Sequence, residues 1–290
     1  MPGALCCDSG VKDNRPDGLR ALAEQLASEA ADFVGRRRAQ IIDPESGGAA
    51  VRTKSSPTDP VTLADTETEQ LVRDRLAELR PGETVLGEEA GGTPSASSVR
   101  WVVDPIDGTV NFLYGIPAYA VSIAAQVDGV SIAGAVADVA GGRLYSAGLG
   151  LGAHVRTDGQ TRQLACNRVA DLSMALLGTG FSYAKERRAA QAALLARIVP
   201  EVRDVRRIGS AALDLCMVAA GRLDAYYEHG LRVWDWAAGA LIAAEAGALV
   251  ALPEPDGSGA GADLLLAAAP GVSAELIRVL ERHRGLRLPR

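Results

Sequence analysis

Apolar residues recur at helical spacing through Leu19, Leu22, Leu26, Ala30 and Phe33, which predicts an amphipathic helix running to the basic patch Arg36-Arg37-Arg38. Those arginines are expected to face water near the helix C-terminus, where cations are favoured. A short strand over 51–53 comes next. The polar, Pro-punctuated loop of residues 54–60 then leads into a helix over 61–80, stopped by Pro81-Gly82. Residues 83–87 read as a strand, and Val102 and Val103 read as the end of a buried one. Alternation and β-branched residues predict strands over 118–127, 131–139 and 143–147, with turns at Asp128-Gly129, Gly141-Gly142 and Asp158-Gly159. This half therefore reads as an antiparallel meander with helices to one side.

The rhythm changes after residue 160. Strands near 175–180, 204–208 and 224–228 alternate with helices near 185–199 and 210–221, in the α/β manner. Ser210 stands where it would cap the second of these helices. A helix from Trp234-Asp235 through Ala246, strands at 248–252 and 264–268, and a helix over 273–283 complete the chain.

Length and composition agree with an enzyme. The 290 residues are 48% hydrophobic and 23% charged, enough apolar material for a substantial core. Net charge is −6, so nothing points to bulk attraction for nucleic acid or an anionic membrane. Cys6, Cys7, Cys166 and Cys216 show no C-x-x-C spacing, which argues against zinc and fits a reducing cytoplasm. No signal peptide or membrane span is expected. His154, His229 and His283 are scattered and suggest no site.

Candidate chemistry concentrates in Trp-Val-Val-Asp-Pro-Ile-Asp-Gly-Thr-Val-Asn-Phe, residues 101–112. Asp104 and Asp107 stand either side of Pro105, whose fixed φ stiffens a turn that keeps two like charges together. A divalent cation would supply the missing charge. The Ile106 carbonyl, held between the acids, is a hard oxygen of the kind Mg²⁺ accepts. Gly108 and Thr109 then offer backbone N–H groups and a hydroxyl to an anion. Asp-Pro and Asp-Gly are also ordinary turn pairs, so other segments must supply further evidence. Three do. Asp65 lies in the first turns of a helix, Glu88-Glu89 at the end of a strand, and Asp235 at the start of another helix, although an isolated acid in the last setting is commonly a helix cap.

Taken together, Gly87-Glu88-Glu89, Asp104-Pro105-Ile106-Asp107-Gly108-Thr109 and Trp234-Asp235 with Ala238-Gly239 resemble the signatures of the inositol monophosphatase family, from about Leu19 to the last helix. Gly209-Ser210-Ala211-Ala212-Leu213-Asp214-Leu215 and the run over 230–239 are most similar to its bacterial SuhB-type branch. Val110 stands where many members have Thr. The resemblance implies an α+β, α/β fold layered as an αβαβα sandwich, with one phosphatase domain over 19–290, in halves 19–160 and 161–290, after a mobile tail of residues 1–18. It also implies a homodimer, Mg²⁺-dependent and lithium-sensitive hydrolysis of a small phosphorylated polyol, and a cytoplasmic location.

The same resemblance implies roles. One Mg²⁺ would be held by Glu88, Asp104 and the Ile106 carbonyl. A second would be shared through Asp104 and held by Asp107 and Asp235, and a third, weaker one would lie near Glu88 and the Lys54 loop. Asp65 and Thr109 would take the proton of the attacking water, with Glu89 behind the ligands. Substrate would touch Glu88, Ile106, Asp107, Gly108, Thr109, Arg206, Gly209, Ala211, Glu228 and Asp235, with Glu228 binding polyol hydroxyls. Histidinol phosphate, fructose 1,6-bisphosphate and a nucleotide 3′-phosphate are rival substrates. A different class of role is that of an RNA-polymerase-associated antitermination factor, contacting its partner through Arg187-Arg188 and Arg36 to Arg38.

Overall fold

The computed structural model describes residues 14–42, 51–53, 60–92, 99–253 and 263–288. The chain begins with α1 (Pro16–Ile42), where proline occupies a position that needs no N–H partner. This helix starts inside the stretch expected to be tail. Leu19, Ala23, Leu26, Ala27, Ala30 and Val34 form its buried stripe, at the three- and four-residue spacing of one helix face. The basic patch lies before the last turn, not at the helix end as expected, and is not simply solvated. Arg37 is paired with Glu67, while Arg38 donates to the Phe112 carbonyl at 3.2 Å and lies over the Tyr119 ring. Only Arg36 of the three is fully exposed.

A two-stranded ribbon, β1 (Val51–Thr53) and β2 (Pro60–Thr62), precedes α2 (Leu63–Leu79). Val61 and Thr62 are therefore strand, not the first turn of the helix as the sequence suggested. The helix starts where Thr62 caps it, its hydroxyl accepting the Asp65 N–H at 3.3 Å while the Asp65 carboxylate accepts the Thr62 N–H at 2.8 Å. The loop carrying Lys54 lies outside the described residues, as do Cys6, Cys7 and the insertion over 254–261.

Seven strands form the first sheet, in the order β3 (Thr84–Gly87), β4 (Arg100–Asp107), β5 (Ala120–Val127), β6 (Val130–Asp138), β7 (Arg143–Gly148), β8 (Ala153–Thr157) and β9 (Gln160–Gln163). Only the β3–β4 pair is parallel. The turns after β5 and β8 place Asp128 and Gly129, then Asp158 and Gly159, at positive φ, the geometry of tight two-residue hairpins. Short α3 (Thr109–Tyr114) sits between β4 and β5.

Five strands form the second sheet, in the order β11 (Asp204–Arg206), β10 (Leu176–Thr179), β12 (Ala225–His229), β14 (Leu264–Ala268) and β13 (Leu249–Ala251). Here β10 runs parallel to both β11 and β12, and β14 is antiparallel to its neighbours. The associated helices are α4 (Lys185–Ile198), α5 (Ala211–Ala219), α6 (Val233–Glu245) and α7 (Pro270–Arg282).

Alternation along the strands decides the layering. Val103, Val121 and Ile123 pack with α1 and α2 on one face of the first sheet, whereas Val102, Ala124 and Val136 pack with α5 and α6 on the other. The far sides of α5 and α6 pack on Tyr226, Leu265 and Ala267 of the second sheet, whose outer face is covered by α4 and α7. The order is helices, sheet, helices, sheet, helices, the expected five layers. The expectation of helices to one side of the meander is corrected: both faces are covered. A helix clamped between two sheets must be apolar all round, and the seven consecutive residues from Ala237 to Ala243 are all buried.

Candidate active site

The acids of residues 101–112 sit inside a strand rather than on a turn after it. Pairing with β5 shifts register between Asp104, opposite Ser122, and Asp107, opposite Ala120, so one extra residue is accommodated on β4. Pro105, which has no N–H to give to a ladder, falls within this bulge. The bulge lets both acids reach the same cavity, of about 530 Å³, instead of alternating to opposite faces. Gly108 follows at φ 95°, a left-handed conformation that turns the chain into α3, and a side chain there would meet the Ala118 carbonyl at 2.9 Å.

The cavity gathers Glu88 from the end of β3, Asp104, Ile106 and Asp107 from β4, Gly108 and Thr109, then Gly209, Ser210 and Ala211 at the start of α5, Glu228 from β12 and Asp235 from α6. Nearly every residue expected at the site is therefore brought to one wall or another. Three are not. Arg206 points away and pairs with Asp204 at 2.6 Å, while its neighbour Arg207 lines the cavity. Side chains alternate along extended chain, so only one of two adjacent arginines can face inward, and it is the second. Glu89 likewise lies outside the cavity wall, its N–H donating to Glu69 at 2.7 Å. Asp65 stands behind the wall, fully buried. Its carboxylate accepts from the Thr62 hydroxyl at 2.5 Å and the Thr109 hydroxyl at 3.2 Å, and the Thr109 oxygen is also 3.1 Å from the Ile106 carbonyl.

Helix starts position two of the acids. Asp107 accepts hydrogen bonds from the Ser210 hydroxyl at 2.5 Å and the Ala212 N–H at 2.7 Å, so an acid from the first sheet ties down the N-terminus of α5. Ser210 meanwhile accepts the Leu213 N–H, as expected of a cap. Asp235 accepts the Arg232 N–H at 2.6 Å in the first turn of α6. Burial pushes the Asp107 carboxyl up to about 6 against these hydrogen bonds, with the Glu88 charge adding to the rise. Burial raises Asp235 well above the carboxylate range, and Asp107 and Glu88 push it further. Like charges thus converge in a recess where water cannot fully screen them.

A hard divalent cation fits this donor set. Glu88, Asp104, Asp107, Asp235 and the Ile106 carbonyl are all oxygen donors on one cavity, and the charges that most perturb Asp107 and Asp235 are other acids.

Other residues line the same cavity: Phe181, Ser182 and Tyr183, which were not singled out from sequence, with Arg187, Trp234 and Arg207, the neighbour of the expected Arg206. Arg187 is paired with Asp263, and Arg188 donates to the Ser182 and Tyr183 carbonyls at 3.0 Å. Both arginines are engaged in local structure rather than offered as exposed partner contacts. Glu228 accepts from the Tyr226 hydroxyl at 2.5 Å, and burial raises its carboxyl to about 7, with Arg207 and Arg187 opposing the rise. Gly180 lets this acid lie close to the backbone, since a side chain there would collide with its carboxylate at 1.8 Å. Buried Asp214 stands nearby, raised well above the carboxylate range by burial and by Glu228, with one oxygen lacking a hydrogen-bond partner among the described residues. His229 lines the cavity, but its Nε2–H donates to the Gly285 carbonyl at 2.7 Å and burial lowers the ring to about 4. It stays neutral.

Comparison with known proteins places these features. A profile described as the inositol monophosphatase family matches residues 16–284. An inositol-1-monophosphatase of Mycobacterium leprae is 65% identical over 284 residues, covering 95% of this chain and 98% of that protein. The solved structure of Mycobacterium tuberculosis SuhB superposes with a TM-score of 0.81 at 58% identity, covering 95% of this chain and all of that one. A Pasteurella multocida protein named Nus factor SuhB is 38% identical over 231 residues, covering 79% of this chain and 85% of that protein.

Proposed function

The chain belongs to the inositol monophosphatase family, and from that premise we propose that its cavity hydrolyses inositol 1-phosphate to inositol and phosphate at a Mg²⁺ centre. The observation that carries the reading is the convergence of Glu88, Asp104, Asp107 and Asp235, from three separate segments, on one cavity. A dianionic phosphate monoester would be repelled by these acids alone. Glu88, Asp104, the Ile106 carbonyl, Asp107 and Asp235 are the groups that would hold Mg²⁺, which when bound supplies positive charge to the phosphate and leaving oxygen and acidifies water.

The chain's own residues then divide the work. Asp65, held by Thr62, accepts through the Thr109 hydroxyl the proton lost by the attacking water. Gly108 and Thr109 bring backbone N–H groups to the phosphate. Gly209 and Ala211 leave room for the polyol ring, and Glu228 bonds its hydroxyls. Arg207 and Arg187 offset the charge of Glu228 and face the alcohol end of the cavity. Arg206 has no part, given its pairing with Asp204.

The test is phosphate release from inositol 1-phosphate, fructose 1,6-bisphosphate, histidinol phosphate and a nucleotide 3′-phosphate, with Mg²⁺ and with excess chelator. Preference for inositol 1-phosphate and loss of all activity in chelator is the expected result. A homodimer, which sedimentation would reveal, is supported by family membership. A second role in association with RNA polymerase is favoured by the name Nus factor SuhB, which the Pasteurella relative carries. Binding to polymerase by an inactive Asp104→Asn chain would separate it from catalysis. Among the described residues no helix is long and apolar enough to cross a membrane.

A further inference from the structure

A second cavity, of about 150 Å³, lies at the end of α5 remote from the acids. Asp107 holds the start of that helix, and Ala220, its C-terminal cap, lines this second space. Nine helical residues put the two ends roughly 13 Å apart. The wall is made by Arg143 and Tyr145 of β7, Thr157 of β8, Gln160 and Arg162 of β9, and Arg222 after α5.

Three guanidinium groups face one small space, Arg143 half-buried and Arg162 and Arg222 exposed, so positive charge is gathered there in a chain of net charge −6. Arg143 has a counter-charge in Asp138, at 3.1 Å, an acid that also accepts the Gly141 N–H at 2.7 Å. Arg162 and Arg222 make no ion pair among the described residues. Tyr145 gives an independent indication. It is 2% exposed, it lines the cavity, and its hydroxyl has no hydrogen-bond partner among the described residues. Burial pushes that hydroxyl up to about 12 while Arg222 and Arg143 act against the rise, so both cations lie within electrostatic reach of it. A phenol hydroxyl opening on the cavity from a buried ring, two exposed arginines with no ion pair among the described residues, and the side chains of Thr157 and Gln160 make a set rich in donors.

We propose that this cavity binds a compact multivalent oxyanion of the phosphate class. Its volume is that of roughly five water molecules, enough for an ion of a few heavy atoms and too small for an inositol phosphate with its shell. Arginine is suited to the task because its planar fork presents paired N–H donors to two oxygens of one anion. The site is separate from catalysis, since no residue lining it lines the acid cavity.

Equilibrium dialysis of the full chain against labelled inorganic phosphate, in excess chelator and at fixed ionic strength, tests the proposal. Chelation matters because the uncompensated acids of the active site then repel phosphate. One phosphate bound per chain is expected. The double variant Arg162→Gln/Arg222→Gln should weaken binding by about tenfold or more, the scale of two charge-assisted contacts, and leave Mg²⁺-dependent hydrolysis unchanged. Tyr145→Phe should weaken it by about threefold, as loss of one neutral donor does. Absence of binding by the unmodified chain overturns the proposal, as does equal binding by a double variant whose melting curve shows it folded. Should the double variant fail to fold, single Arg222→Gln carries the same comparison.

Discussion

The cavity has two chemically different parts. Around β4 and the start of α6, Asp107 and Asp235 are perturbed mainly by burial and by other acids. Around β12, Glu228 is also raised by burial, yet it has a phenol donor at 2.5 Å and two arginines acting in its favour. In the first part the charges that raise Asp107 and Asp235 further are those of other acids. The second sets beside its acid a phenol donor and two arginines, which offset part of the burial. Acids in one cavity can thus serve different ends, because what surrounds each carboxylate decides whether it recruits charge or donates and accepts hydrogen bonds.

Removing the cation is the strongest way to break this contrast. Excess chelator should abolish phosphate release and lower the melting temperature, since Mg²⁺ binds only the folded arrangement of acids. Undiminished activity in chelator would sink the metal assignment. Lithium at concentrations where sodium is inert should inhibit by occupying a cation position, an effect read in the same assay.

Next in size is the proton path. Asp65→Asn keeps the shape of the capping pair with Thr62 and should leave Mg²⁺ binding largely intact, yet kcat should fall by about 10²-fold or more, the scale of general-base loss. Steady-state rates at saturating Mg²⁺ check this. A normal kcat with weakened metal binding would make Asp65 a support for the ligands instead.

Substitution in the other part should act on a different axis. Glu228→Gln is expected to raise KM for inositol 1-phosphate by about tenfold, with kcat and the turnover of substrates lacking polyol hydroxyls nearly unchanged. Equal slowing of every phosphate monoester would show that Glu228 belongs with the metal acids. Arg207→Ala should produce a smaller rise in KM, and Arg206→Ala none that an assay resolves.

The smallest effect sharpens the electrostatics. Glu228 rises from the usual 4.5 to about 7 and Asp107 from 3.8 to about 6, so in chelator the folded chain holds these protons more tightly than the unfolded one. Stability should therefore be present at low pH and decline as pH rises through about 4 to 7, the opposite of a salt-bridged acid. Melting curves in chelator should show this slope. Mg²⁺ should reduce the share from Asp107, and Glu228→Gln should remove the remainder due to that residue.

Much of this protein is fixed by local chemistry and could be read from the residues. The helix face of Leu19, Leu26 and Ala30, with Leu22 and Phe33 at its half-buried edge, the hairpins at Asp128-Gly129 and Asp158-Gly159, and the Ser210 cap depend on neighbours within a few positions. The acids Glu88, Asp104, Asp107 and Asp235 were legible too, because they recur in a recognisable order. Other features depend on distant partners. The extra residue between Asp104 and Asp107 is defined only by pairing with β5, and it turns an apparent post-strand turn into a bulge that aims both acids one way. Inward Arg207 and outward Arg206, like inward Glu88 and outlying Glu89, differ by one step of a two-residue alternation. Their sequence neighbourhoods are the same, so only the placement of the strand end could choose between them. Coverage of both faces of the first sheet was likewise settled by α5 and α6, helices that begin 48 residues or more beyond its last strand, because a buried strand shows which positions are apolar but not what lies against them. The arginine cavity follows the same rule: Arg143, Arg162 and Arg222 are far apart in sequence, and only the fold brings them to one cavity.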